Sequence, residues 1–155
     1  MLSLLTKSLK CISASCLVVL LLVVLLGILS ARFGLAIAWT TELAEFLLVW
    51  TVMFGGALAY LEHSHLGVDI LINKADPSAR ALTQKLGHLL IAMFALLVMV
   101  IGGFQLFQAR WDSAQVLPAL GIRKAWFYFA VPVSGILITL TSILHLLIPV
   151  ETSKS

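Results

Sequence analysis

The sequence predicts an all-α membrane protein: one membrane domain over residues 1–155, with four transmembrane helices and a short interfacial segment between the second and third. Three observations carry this reading. A chain of 155 residues that is 61% hydrophobic and 11% charged, with mean hydropathy +1.11, has more apolar surface than an ordinary soluble core can hide. That hydrophobicity is gathered into four runs, each long enough to cross a bilayer hydrocarbon core of about 30 Å. Every Asp, Glu, Lys and Arg falls at or near the end of a run, where a charge can reach water.

The basic balance does not point to nucleic acid. A pI near 9.1 comes from ten Lys and Arg scattered between apolar runs, with no patch or stripe of the kind that phosphate binding needs. Cys11 and Cys16 share one apolar run with no neighbouring His or Asp. Their spacing offers neither a metal site nor a disulfide framework, so they read as packing residues.

The first span covers residues 11–31. Lys7 and Lys10 precede an uncharged stretch from Ile12 to Ser30 that is rich in Leu and Val. It is longer than the apolar region of a signal peptide, and Leu29-Ser30-Ala31 lacks the small residue three places before a cut. An uncut span is therefore expected, and its uniform apolarity predicts a large lipid-facing surface.

After a loop from Arg32 to Thr41, the second span covers residues 42–62. A helix of that length is about 31 Å long and fits the membrane. Gly55, Gly56, Ala57 and Ala59 form a small-residue groove where another helix backbone can approach closely. Beyond Glu62, the stretch containing His65, Gly67, Asp69 and Ile70 is too short and too polar to span. It is expected to lie on the membrane surface with apolar side chains towards lipid.

The third span covers residues 82–108. Its adjacent Gly102 and Gly103, deep in the apolar run, predict close packing or a bend. A loop follows that carries Arg110, Trp111, Asp112, Arg123 and Lys124, long enough for a small structured cap. The fourth span covers residues 126–148 and contains Pro132. Ser134, Thr141 and His145 on it share one helical face, which should look at protein and not at lipid.

Four spans place both termini on one side. That side collects six basic residues (Lys7, Lys10, Lys74, Arg80, Lys85 and Lys154) against four on the other (Arg32, Arg110, Arg123 and Lys124). The positive-inside bias favours cytoplasmic termini in a bacterial inner membrane. Trp39, Trp111 and Trp126 fall on the opposite face, where an aromatic belt is expected.

No enzyme is expected. Catalysis or self-sufficient transport would need ionisable groups in mid-membrane, and the sequence places none there. Glu42 and Glu45 sit one turn apart on a helix, but with no His or Lys near them in sequence they read as solvated or Arg-paired residues at a helix start. His63, His65, His88 and His145 gather near one end of an antiparallel bundle. Either His63 and His65 are solvated at the interface while His88 and His145 make interhelical hydrogen bonds or, in a membrane-anchor cytochrome, a pair of the four holds a haem iron axially. The former needs no cofactor.

Several segments in order resemble one family: Glu42-Leu43-Ala44, Leu47-Leu48-Val49-Trp50, Phe54-Gly55-Gly56-Ala57, His65-Leu66-Gly67-Val68-Asp69, Ala119-Leu120-Gly121-Ile122, Trp126, Tyr128 and Ala130-Val131-Pro132-Val133. Together they look like the small membrane subunit of tripartite ATP-independent periplasmic (TRAP) transporters. Two departures stand out. Glu45 occupies a place where the family usually has Arg, and Arg123 lies near one where it often has Pro.

The resemblance implies three partners: a large membrane subunit that holds the substrate and sodium sites, a soluble periplasmic protein that captures an organic acid, and membrane lipid. It implies no cofactor. The small subunit would be a stationary scaffold, with Gly55, Gly56, Ala59, Ser134 and Thr141 packing helices. Glu42, Glu45, Arg110, Asp112, Arg123 and Lys124 would be candidates for docking the binding protein. A haem-binding anchor and a stand-alone membrane assembly factor are the alternatives.

Overall fold

The computed structural model describes residues 2–35, 37–63 and 77–147. Among them α1 spans Leu2–Arg32, α2 Ala38–His63 and α3 Pro77–Phe94. A π-helical stretch, Ala95–Gly102, continues α3 into α4, Gly103–Asp112, and α5 spans Ala125–Leu147. With α3, the π stretch and α4 counted as one span, four helices are long and apolar enough to cross a membrane. The expected all-α membrane class holds. The stretch with His65, Gly67, Asp69 and Ile70, expected at the interface, lies outside the described residues.

The helices extend beyond the apolar runs. α1 begins at Leu2 and α3 at Pro77, because polar residues near a membrane helix end continue the backbone hydrogen-bond ladder into the interface. Pro77 suits the first helical position, where an N–H would have no partner within the helix. α1 stops at Gly34, whose φ of +74° lets the chain reverse. The Leu35 N–H then reaches the Ser30 carbonyl at 2.9 Å and the Gly34 N–H reaches Ala31 at 3.1 Å, a Schellman closure that satisfies the last carbonyls.

Neighbouring spans run antiparallel. Lys10 of α1 pairs with Glu62 of α2 at one end, and Gly27 faces Thr40 towards the other. α2 and α5 lie parallel, joined by Phe46 against Phe127 (centroids 5.3 Å) and by Tyr60 against Ser142 (2.8 Å). The third span closes on α5, so α5 sits between it and α2. In α5, 44% of the most apolar stretch is buried, against 6% in α1 and in α2 and 11% in the third span. The central helix is thus the last of the described ones, while α1 packs chiefly on α2 and leaves most of its apolar side chains exposed.

The seam between the third span and α5 explains the π stretch. Residues facing α5 recur every four positions. Ala95 is fully buried, Met99 lies over Gly135, Gly103 meets Pro132, and Phe107 meets Trp126 and Phe129. In an α-helix each step of four overshoots a full turn by about 40°, so three steps would carry Phe107 roughly 120° off the seam. The wider π turn lags where the α turn overshoots and keeps these residues on one face. Gly103, expected to give close packing or a bend, packs closely: a Cβ there would stand 3.0 Å from Pro132 and Val131.

Candidate functional site

Among the described residues, the end of the bundle that holds residues 33–35 and 113–124, termed the loop end, carries the most exposed polar chemistry. Residues 113–124 form a closed cap. The Leu117 N–H bonds Ile122 at 2.9 Å, the Gly121 N–H bonds Leu117 at 2.8 Å, and the Lys124 N–H bonds Gln115 at 2.9 Å. Val116 and Arg123 form an antiparallel bridge, Gly121 takes φ +67° at the turn, and Leu117 is buried beneath.

Glu42, on the second turn of α2, holds the tip of this cap. Its carboxylate accepts from the Ala119 N–H at 3.0 and 3.2 Å and from the Leu120 N–H at 3.0 Å. Such charge-assisted bonds are stronger than neutral ones. Arg123 lies over the Trp111 ring at 4.3 Å, and Arg110 lies 5.5 Å from the Tyr128 centroid. The guanidinium groups are therefore held by aromatic faces. Lys124 and Asp112 are exposed beside them, and Glu45 is exposed one turn along α2 from Glu42. Trp39, Trp111 and Trp126 are all partly exposed at this end.

The small residues of α2 have a different setting. Ala57 is buried, whereas Gly56 and Ala59 are exposed and a Cβ at Gly55 or Gly56 would meet nothing within 4 Å. With Glu45, Leu48 and Val52 they make one continuous exposed face. Ser134 and Thr141 point the other way and are almost fully buried. Thr141 donates to the Leu137 carbonyl at 2.8 Å. Ser134 donates to Val131 at 2.9 Å and touches Met53 Sδ of α2 at 3.5 Å.

A cleft of about 530 Å³ opens between α1 and α2 near the loop end. No charged residue lines it, and its Ser30 and Thr40 hydroxyls donate to the carbonyls of Gly27 and Ile37. These walls offer no cation to hold a carboxylate.

At the opposite end, three spans meet through Tyr60, His88 and Ser142. Ser142 donates to the His88 carbonyl at 2.7 Å, so its oxygen accepts from Tyr60 at 2.8 Å, and Tyr60 in turn accepts from His88 Nδ1 at 2.9 Å. Proton counting thus assigns a hydrogen to His88 Nδ1. His145 stacks on the His88 ring with centroids 5.3 Å apart and planes at 30°. Rings that share an iron present nitrogen atoms to it from opposite sides, whereas these lie face to face. Among the described residues no group of three or more His, Cys, Asp or Glu could hold a metal ion.

Three features escaped the sequence reading: the carboxylate latch made by Glu42, the Tyr60–His88–Ser142 relay and the Gly135 crossing. A signal existed for two of them. Tyr60 is a hydroxyl in an apolar run, and Gly135 follows Ser134 on the face already assigned to protein. For the Glu42 latch, no local pattern foretold a partner 77 residues away.

Comparisons with known proteins bear on this arrangement. The family model for tripartite ATP-independent periplasmic transporters, DctQ component, matches residues 20–151. A Haemophilus influenzae protein named as a TRAP transporter small permease is 27% identical over 142 residues, covering 91% of this chain and 86% of that one. The C4-dicarboxylate TRAP transporter small permease protein DctQ of Rhodobacter capsulatus is 28% identical over 102 residues, 66% of this chain and 44% of that protein. The sialic acid TRAP transporter permease protein SiaT of Haemophilus influenzae is 29% identical over 142 residues, 87% of this chain but 22% of its own length. These likenesses favour neither a cytochrome nor an assembly factor.

Proposed function

The chain belongs to the DctQ component family of tripartite ATP-independent periplasmic transporters, and we propose that it is the scaffold subunit of a sodium-coupled, binding-protein-dependent permease for an organic acid. The observation that carries this reading is the exposed face of α2, where Gly55 and Gly56 have open space before them within this chain. Small residues let helix backbones approach closely in lipid, so that face suits a large membrane subunit. The SiaT likeness supports the same partner. There the matching segment is 22% of a longer permease, whose remainder is of a size that suits a large membrane subunit. The substrate class follows the relatives, whose names specify a C4-dicarboxylate and sialic acid.

The loop end then faces the periplasm and the termini the cytoplasm of a bacterial inner membrane, as the distribution of basic residues favours. The stretch with His65, Gly67, Asp69 and Ile70 would rest on the cytoplasmic surface among lipid headgroups. The charges of the cap would meet the periplasmic binding protein. Reversing Arg123 and Lys124 to Glu tests this in reconstituted vesicles. The expected result is a higher binding-protein concentration for half-maximal uptake, with the difference shrinking as salt rises, because steering by exposed charges is screened. An unchanged curve with an intact complex would leave both residues as solvated loop charges.

A further inference from the structure

We infer that Glu42 is the positioning residue of the periplasmic cap: its carboxylate fixes the tip of residues 113–124 to α2 and so sets where Arg123 and Lys124 stand. The inference rests on the docking reading above and gives Glu42 a role different from that of a direct contact. Both of its oxygens are engaged, one by the Ala119 N–H and the other by the N–H groups of Ala119 and Leu120. A partner's cation would have to compete with those bonds. The rest of the cap closes on itself through Leu117–Ile122, Gly121–Leu117 and Lys124–Gln115. That closure shapes the hairpin but does not tie its tip to a span. The bond from α2 supplies the tie.

The geometry also explains why a carboxylate is needed. Two successive N–H groups converge at the tip, and an anion with two oxygens accepts from both. Glutamine would keep one acceptor and bring an amide N–H₂ against backbone donors. Arg123 and Lys124 directly follow the turn on the returning limb, whose register with the outgoing limb is set by the Val116–Arg123 bridge. The carbonyls of Arg123 and Lys124 also accept the Trp126 and Phe127 N–H groups at the start of α5, so loss of the Glu42 tie would reach the two cations as a shift passed through the Val116–Arg123 bridge and not as a free swing. Binding-protein affinity would then fall while the transport step, which involves other residues, keeps its rate.

The test uses the full chain in its transporter complex and compares Glu42→Ala and Glu42→Gln with the parent. Hydrogen exchange is followed at the Ala119 and Leu120 amides, and uptake in vesicles is titrated with binding protein. In Glu42→Ala, exchange at those two amides should quicken roughly tenfold or more, the scale expected for losing a hydrogen bond to a charged group, with Glu42→Gln in between. The binding-protein concentration for half-maximal uptake should rise while the maximal rate stays unchanged. Unaltered exchange in Glu42→Ala would overturn the inference. So would faster exchange without a change in half-saturation, provided that the Arg123→Glu, Lys124→Glu double variant does shift it. If neither variant shifts half-saturation, it is the docking reading that fails, and the role of Glu42 in docking falls with it.

Discussion

Replacing Gly135 with leucine should leave little folded protein to recover. At Gly135 α5 and the third span pack tightly: a Cβ there would stand 2.7 Å from the Met99 Cβ and 3.2 Å from the Met99 backbone carbon. Neither atom is the free end of a flexible side chain, so the π stretch itself would have to move. That movement would pull Met99, Gly103 and Phe107 off the seam they share with α5. Overpacking a tight site costs about 1–3 kcal/mol and occasionally more; for a leucine facing backbone the cost should exceed that range. Gly135→Ala should show the same effect in weaker form. The check is the yield of monodisperse protein after detergent extraction and the midpoint of thermal unfolding. Normal values for Gly135→Leu would mean that the seam is not where the fold is held.

Gly55→Leu should behave in the opposite way. Within this chain a Cβ at residue 55 meets nothing within 4 Å, so the isolated subunit should fold with near-normal yield and thermal midpoint. Association with the large membrane subunit should nevertheless be lost, because a leucine would hold the partner helix away from the α2 backbone. Co-purification of the two subunits, alongside the thermal midpoint of the small one, separates these effects. Recovery of the complex at the parental level, with normal uptake, would remove the groove from the interface. The two glycines thus form a matched pair, since the same substitution should be disruptive inside the chain at one position and between chains at the other.

How far the fold could be read from the sequence depended on the range of the interactions involved. The four spans were legible because an uncharged apolar run of membrane length finds in lipid the burial that a small soluble core could not give it. The protein-facing side of the last helix was legible from Ser134 and Thr141, both of which are almost fully buried. That this helix would be the central one did not follow from its composition, since α1 is more apolar and yet peripheral. Hydropathy measures what a helix can bury in lipid as well as in protein, so the most apolar span is the one that needs protein neighbours least. The π stretch was hidden for a related reason. Residues 95–102 are all apolar or glycine, and only their register against Gly135 and Pro132 shows that the turn is widened.

At the candidate site, the charged residues of the cap were legible and their roles were not. Glu42 and Glu45 look equivalent in sequence, one turn apart at a helix start. Folding brings Glu42 to two backbone N–H groups and leaves Glu45 exposed on the face proposed for the large subunit. The relay at the other end was foreseen only as interhelical hydrogen bonding by histidine. Tyr60 and Ser142, which complete it, are 82 residues apart.

The central claim, that this chain is a scaffold for a larger membrane subunit, is tested most directly by purifying the tagged full-length chain from its native membranes in mild detergent and measuring the mass and composition of what comes with it. The account predicts a stoichiometric complex with one much longer polytopic protein, which the Gly55→Leu variant fails to form. A folded chain recovered alone, or one that carries the Soret absorption of a haem, would contradict it.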